Sequence, residues 1–268
     1  MQLHKQLIHT QPRFCNGRGD ASPVNAKGGR RLSSEKRLPA TGNILVERSN
    51  FHVRVADTQV MRNQVSALIK QMYSWRGYQL DTAEARHSPS KTTLQACASK
   101  DTLGTLTLNV DSENGLLADG LYRREVDSLR MRGGAVCELT GLAVSASFSS
   151  NELLASLFHL LHIIGRRLHR VTDAVIEINP RHSAYYQRLL GFRKIGERRV
   201  CDRVNAPAEL LHVETDFVEE QIARYAGRRE KDGHSLYPYF FSGLEAEHLG
   251  QRILKMGHLL PATPPSWR

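Results

Sequence analysis

Residues 135–192 constrain the fold of this chain more than any other stretch, because they read as strand, helix, strand and helix in unbroken succession. AVCELTGLAV (135–144) is apolar apart from Glu138 and Thr140, whose two-residue spacing puts both side chains on one face of a strand. A carboxylate is thereby expected inside a sheet. Ser149 and Glu152 follow with the S-x-x-E spacing of a capping box. A helix to about Arg170 is then marked by Leu153, Leu154, Leu157, Phe158, Leu161, Ile164 and Leu168. DAVIEINP (173–180) is a second buried strand that ends at a proline, and RHSAYYQRLLGF (181–192) is a short helix stopped by Gly191. Two strands joined by a helix pair in parallel, with the helix packed across the sheet.

The flanking sequence extends this pattern in both directions. FHVRVA (51–56) alternates as a strand, and residues 57–73 form a helix capped by Asp57 or Thr58. Residues 75–91 mix aromatic, charged and turn-forming side chains, as a loop over a binding site does. TTLQACAS (92–99) and TLGTLTLNV (102–110) read as a hairpin, residues 117–133 as a helix and ELLHVETDF (209–217) as a late strand. After Tyr225 the pattern weakens to YPYFF and an amphipathic helix near 244–256. These boundaries give a basic tail over 1–49, one α/β domain over 50–225 and a C-terminal tail over 226–268.

The charge of +10 suggests a nucleic-acid binder until its distribution is considered. Residues 1–50 carry nine basic against three acidic side chains, a net of +6, and leave only +4 for the rest. This segment is rich in Gly, Ser, Asn and Pro without helical or strand period, which reads as a disordered tail. Its charge supports at most weak peripheral contact with an anionic membrane, and a nucleic-acid partner is disfavoured. No apolar run approaches a membrane span and no secretory signal is evident, so the expected location is the cytoplasm. Cys15, Cys97, Cys137 and Cys201 lie far apart, and His159 and His162 have no third ligand nearby; neither disulfides nor a metal are expected.

CELTGLAV (137–144), NELLASLFHLLH (151–162), IEINPRHSAYYQRLLGFRKIGE (176–197), RVNAPAELL (203–211) and residues 102–133 together resemble the long-chain N-acyl amino acid synthases. Those enzymes fall within the GNAT superfamily of acyltransferases and are related to the acyl-homoserine-lactone synthases. The similarity spans roughly residues 50–225, and several separated motifs agree in order. The fold so implied is α/β: a three-layer α/β/α arrangement with a mixed, mostly antiparallel twisted sheet, splayed between two parallel central strands.

The resemblance implies transfer of a fatty acyl group from a thioester to the amino group of an amino acid, by direct attack and without a covalent enzyme intermediate. Such chemistry needs a proton acceptor, near-attack geometry and donors for the oxyanion. Glu138 is the candidate base, with Glu177 in reserve and a structural role as the alternative. Leu142, Ala143 and Val144 occupy the strand end where the superfamily leaves a backbone N–H free for the thioester carbonyl. Residues 145–151 read SASFSSN, without the glycine-rich turn that cradles a pyrophosphate in coenzyme A users. A helix start with Ser149, Ser150 and Asn151 suits the single phosphodiester of acyl-phosphopantetheine on an acyl carrier protein, with acyl-coenzyme A as the alternative donor. No tightly bound cofactor is expected.

Tyr186 is the candidate proton donor to the departing thiolate, although the usual superfamily spacing before Gly191 falls on Gln187; core packing is the competing role. Asn179 either contacts the pantetheine arm or caps the turn into Arg181. The acceptor's carboxylate calls for an arginine, with Arg76 and Arg54 as candidates. An acidic carrier protein has two basic clusters to meet, Arg166, Arg167 and Arg170 or Arg193, Lys194, Arg198 and Arg199. Competing readings are an acyl-homoserine-lactone-like synthase, a coenzyme A-dependent acetyltransferase, and a silent carrier-protein or nucleic-acid-binding module on the same fold.

Overall fold

The computed structural model describes residues 44–74, 90–148, 150–228 and 235–256. The expected basic tail before residue 44, the loop bearing Arg76, and Ser149 lie outside the described residues.

Eight strands form one sheet: β1 (Ile44–Glu47), β2 (His52–Val55), β3 (Lys91–Ala98), β4 (Asp101–Val110), β5 (Val136–Val144), β6 (Asp173–Ile178), β7 (Arg193–Cys201) and β8 (Ala206–Glu214). Their order is β1-β2-β3-β4-β5-β6-β8-β7, and every neighbouring pair is antiparallel except β5 with β6. Helices α1 (Gln59–Ser74) and α2 (Asp119–Met131) pack on one face. On the other lie α3 (Asn151–His169), α4 (Ser183–Leu190), α5 (Thr215–Tyr225) and α6 (Gly243–Lys255). This is the three-layer arrangement with a parallel central pair that the resemblance implies.

Helix α3 joins the parallel pair and is the most deeply buried helix. Its Leu153, Leu157, Leu160, Leu161 and Ile164 are almost wholly shielded and meet Leu94, Leu106 and Leu108 of the sheet. Burying a side chain of this kind contributes about 1.5–3 kcal/mol each. The helix starts one residue later than the S-x-x-E spacing suggests: Ser150 is the N-cap, and its hydroxyl accepts the Leu153 N–H at 3.0 Å. It ends at Arg170, which adopts a left-handed conformation. Gly191 ends α4 at φ +77°, and a Cβ there would lie 2.2 Å from the Phe217 ring, so backbone and packing both require glycine. Asn179 caps the turn into α4, its Oδ1 accepting from the Arg181 N–H at 3.1 Å.

Two elements lie where the sequence reads as tails. Strand β1 pairs with β2 before residue 50, and its Leu45 and Val46 are buried. Beyond residue 225, Tyr237, Phe240, Phe241, Leu249 and Ile253 belong to the main core. Tyr237 donates to the Leu190 carbonyl at 2.8 Å, and Phe241 donates its N–H to His159 Nδ1 at 3.0 Å. The folded unit therefore starts before residue 50 and continues past Tyr225, because these aromatic side chains complete the core around α3. Among the described residues, no helix is long and apolar enough to cross a membrane.

Candidate active site

The site is organised by the parting of β5 and β6. Their pairing covers only Val136, Cys137 and Glu138, opposite Asp173, Ala174 and Val175; beyond that both strands continue without pairing to each other. On its other edge β5 is kinked. Thr107 pairs with Thr140 and Thr105 with Ala143, so β5 advances three residues while β4 advances two, which is a bulge. Gly141 sits in it at φ +62°, a conformation that glycine adopts without strain. The bulge bends Leu142, Ala143 and Val144 at the edge where β5 has no strand partner toward β6.

The two faces of the sheet at this opening differ in chemistry. On the α1/α2 face, Glu138 is 1% exposed. Its Oε2 accepts from the backbone N–H groups of Leu117 at 2.7 Å and Ala118 at 3.3 Å, at the entrance to α2. Oε1 makes no hydrogen bond among the described residues. Burial, and then the neighbouring Glu177 carboxylate, push the Glu138 pKa up to about 8, against the two amides and Arg203. Asn109 is its partner across the ladder, with Thr107 and Thr93 further along the same face and hydrogen-bonded to each other at 2.9 Å. The turn that supplies the amides is itself tied down. Asp119 accepts the Leu116 N–H at 2.7 Å, and Arg130 binds Asp111, Asp119 and Asp127 together.

Glu177 lies on this face too, at the end of β6. Its Oε1 meets Arg203 in the β7–β8 turn at 2.7 Å, while its Oε2 is buried without a hydrogen-bond partner among the described residues. On the opposite face, behind the paired part of β5 and β6, lies a small apolar pocket of about 50 Å³. Cys137 and Leu139 of β5, Phe158 and Leu161 of α3, Ala174 of β6 and Val218 of α5 line it. His162 also borders it, and burial lowers its pKa to about 4, so it presents a neutral ring.

The structure brings Glu138, Glu177 and the Leu142–Val144 segment to one opening, but not every candidate. Tyr186 is buried in the core on the α3 face, edge-on to Tyr185 and Phe192. Arg54 bonds Gln95, which in turn bonds Gln64 of α1 and Thr102. With β3 and β4 between it and β5, Arg54 stands about 14 Å from Glu138's strand. Ser150 and Asn151 begin α3, where Ser150 is engaged as the cap. Arg76 and Ser149 lie outside the described residues.

Several basic side chains offered to a carrier protein have internal partners. Arg166 binds Glu219 and Asp216 of α5, Arg167 binds Glu247 of α6, Arg199 binds Glu125 of α2, and Lys194 binds Glu197 and Glu209. His159 is stacked between Phe240 and Phe241 with Nδ1 occupied, a packing role. Two features escape the sequence reading. Gly141, an isolated glycine in a strand, was a legible sign of a bulge. Arg203 was not legible, because only the hairpin brings it to β6.

Residues 64–214 match the model of a family described as N-acyl amino acid synthase FeeM. The solved structure of FeeM, an N-acyl amino acid synthase from uncultured soil microbes, is similar with a TM-score of 0.59 and 25% sequence identity, over 63% of this chain and 94% of that one. An acetyltransferase from Streptococcus agalactiae aligns at a TM-score of 0.46 and 12% identity, over 62% of this chain and 99% of its own. The GNAT domain of S. lividans PAT aligns at 0.41 and 13%, over 61% and 90%. No curated protein matches the sequence.

Proposed function

The chain belongs to the N-acyl amino acid synthase FeeM family, an acyltransferase family of GNAT fold, and from that premise we propose a specific reaction. A long-chain fatty acyl group passes from the phosphopantetheine thioester of an acyl carrier protein to the α-amino group of an amino acid. One observation carries this reading: where β5 and β6 begin to part, the sheet has a buried carboxylate on one face and a small apolar pocket on the other. An acyl thioester lying in that opening would direct the start of its chain toward the pocket and its carbonyl toward Glu138.

In this reading the acceptor arrives as an ammonium and gives one proton to Oε1 of Glu138. The freed nitrogen pair attacks the thioester carbon, N–C forms, the nitrogen sheds its second proton as C–S breaks, and the sulfur leaving on the pantetheine arm takes that proton up as a thiol. A carboxylate with pKa about 8 is roughly one tenth ionised at pH 7, and that fraction is a stronger base than an ordinary carboxylate. The oxyanion meets backbone N–H groups of the Leu142–Val144 segment; removing one such donor costs about 10²–10³ in rate in other enzymes. The helix start at Ser150 and Asn151, next to the sequence candidate Ser149, receives the phosphodiester, and Asn179 borders the arm. The same soluble chemistry suits a cytoplasmic enzyme, with peripheral membrane contact through the basic tail or the lipid product.

The test is mass spectrometry of the purified protein with long-chain acyl carrier protein and all twenty amino acids, beside acyl-coenzyme A controls. An N-acyl amino acid formed from the carrier protein is the expected product. Turnover of coenzyme A thioesters alone would overturn the donor assignment, and absence of any acylated amino acid would overturn the reaction.

A further inference from the structure

Arg203 is held in the short turn between β7 and β8 by three contacts that converge on the opening. One terminal nitrogen meets Glu177 Oε1 at 2.7 Å and lies 3.6 Å from Cys201 Sγ; the other donates to the Leu117 carbonyl at 3.3 Å. The Leu117 N–H is bound to Glu138. One guanidinium thus ties the hairpin, the end of β6 and the entrance of α2 to the same spot. Its Nε has no acceptor among the described residues, and 32% of the side chain remains exposed. Donors are left over at the mouth of the site.

Beneath it, Glu138 and Glu177 share the α1/α2 face. Val175 is the Cα partner of Glu138, and Glu177 is two residues further along β6, the next side chain on that face. Glu177 Oε2 is buried without a hydrogen-bond partner among the described residues, an arrangement that is costly unless a donor arrives. Moving outward from the sheet, the chemistry runs from two carboxylates to a guanidinium with spare donors. That sequence of charges is the complement of a zwitterionic α-amino acid, ammonium inward and carboxylate outward.

We infer that Arg203 receives the α-carboxylate of the acceptor amino acid and that Glu177 Oε2 accepts a hydrogen bond from its ammonium beside Glu138. This assignment rests on the reading that the acceptor is an amino acid. It replaces Arg54, which is occupied by Gln95 on the far side of β3 and β4. It also accounts for the hairpin's role in the site: its turn supplies the charge that separates an amino acid from a simple amine.

The experiment uses the full chain with palmitoyl acyl carrier protein and two acceptors: the amino acid that the wild type acylates best, and the amine of the same side chain lacking the carboxylate. Arg203→Gln should raise KM for the amino acid about 10- to 100-fold, the range for a hydrogen-bonded charge pair. KM for the amine, which also meets Glu177, should change several-fold less than KM for the amino acid, and KM for the carrier protein should stay unchanged. Arg203→Lys keeps the charge without the planar fork and should fall between. Because removing Arg203 leaves Glu177 unpaired, the double variant Glu177→Gln with Arg203→Gln is measured as well, and it should also lose the preference for the carboxylate. The inference fails if these variants change KM equally for acid and amine, or change neither. If the wild type acylates the amine but no amino acid, the proposed reaction fails instead, and the two failures are told apart.

Discussion

The two faces of the sheet are built from the same strands but do opposite things at the opening. Toward α3, residues such as Leu94, Leu106, Leu108 and Cys137 merge with the helix into the main core. Toward α1 and α2, the alternate residues of those strands include Gln95, Thr105, Thr107, Asn109 and Glu138, all buried and polar. A period of two sends consecutive residues to opposite faces, so a single strand such as β5 can supply an apolar wall through Cys137 and a carboxylate through Glu138. Burying polar groups costs stability unless they are paired, which is why the second face is laced with hydrogen bonds. The contrast is between a face that holds the protein together and a face that holds charge where chemistry needs it.

The largest effect should come from the carboxylate itself. Glu138→Gln keeps an oxygen for the Leu117 and Ala118 amides and is expected to fold. Turnover should drop by about 10²–10⁴, and the rise in wild-type kcat/KM toward an apparent pKa near 8 should disappear. Stability should move in the opposite sense. The folded state raises this pKa from 4.5 to about 8, so between those values it binds more protons than the unfolded chain. Wild-type stability then falls as pH rises across that window and levels off above it, whereas the Gln variant lacks this component. Near-wild-type turnover of a folded Glu138→Gln across pH would remove the functional half of the contrast.

Arg130 tests whether the polar face depends on its lacing. Arg130→Met leaves Asp111 and Asp119, both largely buried, without their cation. Breaking a buried pair from one side costs about 3–5 kcal/mol, to be read from denaturant unfolding. Because Asp119 fixes the turn whose amides bind Glu138, the pH profile of surviving activity should shift upward too. A stability loss without that shift would separate the aspartate cluster from the site.

The apolar face has its own probe. Gly165 lines the pocket, and a side chain there would grow toward Val171 and Leu108. Gly165→Leu should cost about 1–3 kcal/mol through overpacking and should favour shorter acyl chains in competition assays. Unchanged chain-length preference would mean that the pocket is only core.

How much of this was legible in sequence depends on the distance over which each feature is decided. Helix α3, the strands around it and the Gly191 stop follow from local period and capping chemistry, and so does Glu138 facing the same side as Thr140. Strand β1 was not legible because four residues, ILVE, beside a basic low-complexity stretch carry no period of their own; pairing with β2 makes them a strand. The aromatic run at 237–241 looked like a tail because its partners, Leu190 and His159, are remote in sequence. The site divides the same way. Glu138 could be read from its own strand, whereas the amides that bind it, the carboxylate beside it and Arg203 arrive from α2, β6 and a hairpin. Burial of Tyr186 on the opposite face is also a tertiary outcome.

The smallest expected effect bears on a residue that belongs to both faces of the comparison. Ser150 caps α3, the helix of the apolar core, yet the proposed reaction also sets it where the donor's phosphodiester arrives. Ser150→Ala removes the acceptor for the Leu153 N–H and should cost about 1 kcal/mol of stability, measured by denaturant unfolding. If the hydroxyl only caps, KM for acyl carrier protein will be unchanged. If it also meets the phosphodiester, that KM will rise a few-fold while KM for the amino acid stays the same. The second result is expected, because a helix N-terminus favours an anion by its oriented N–H groups and the cap is the side chain beside them. A pure stability loss would confine Ser150 to the structural face and leave the phosphodiester to the backbone.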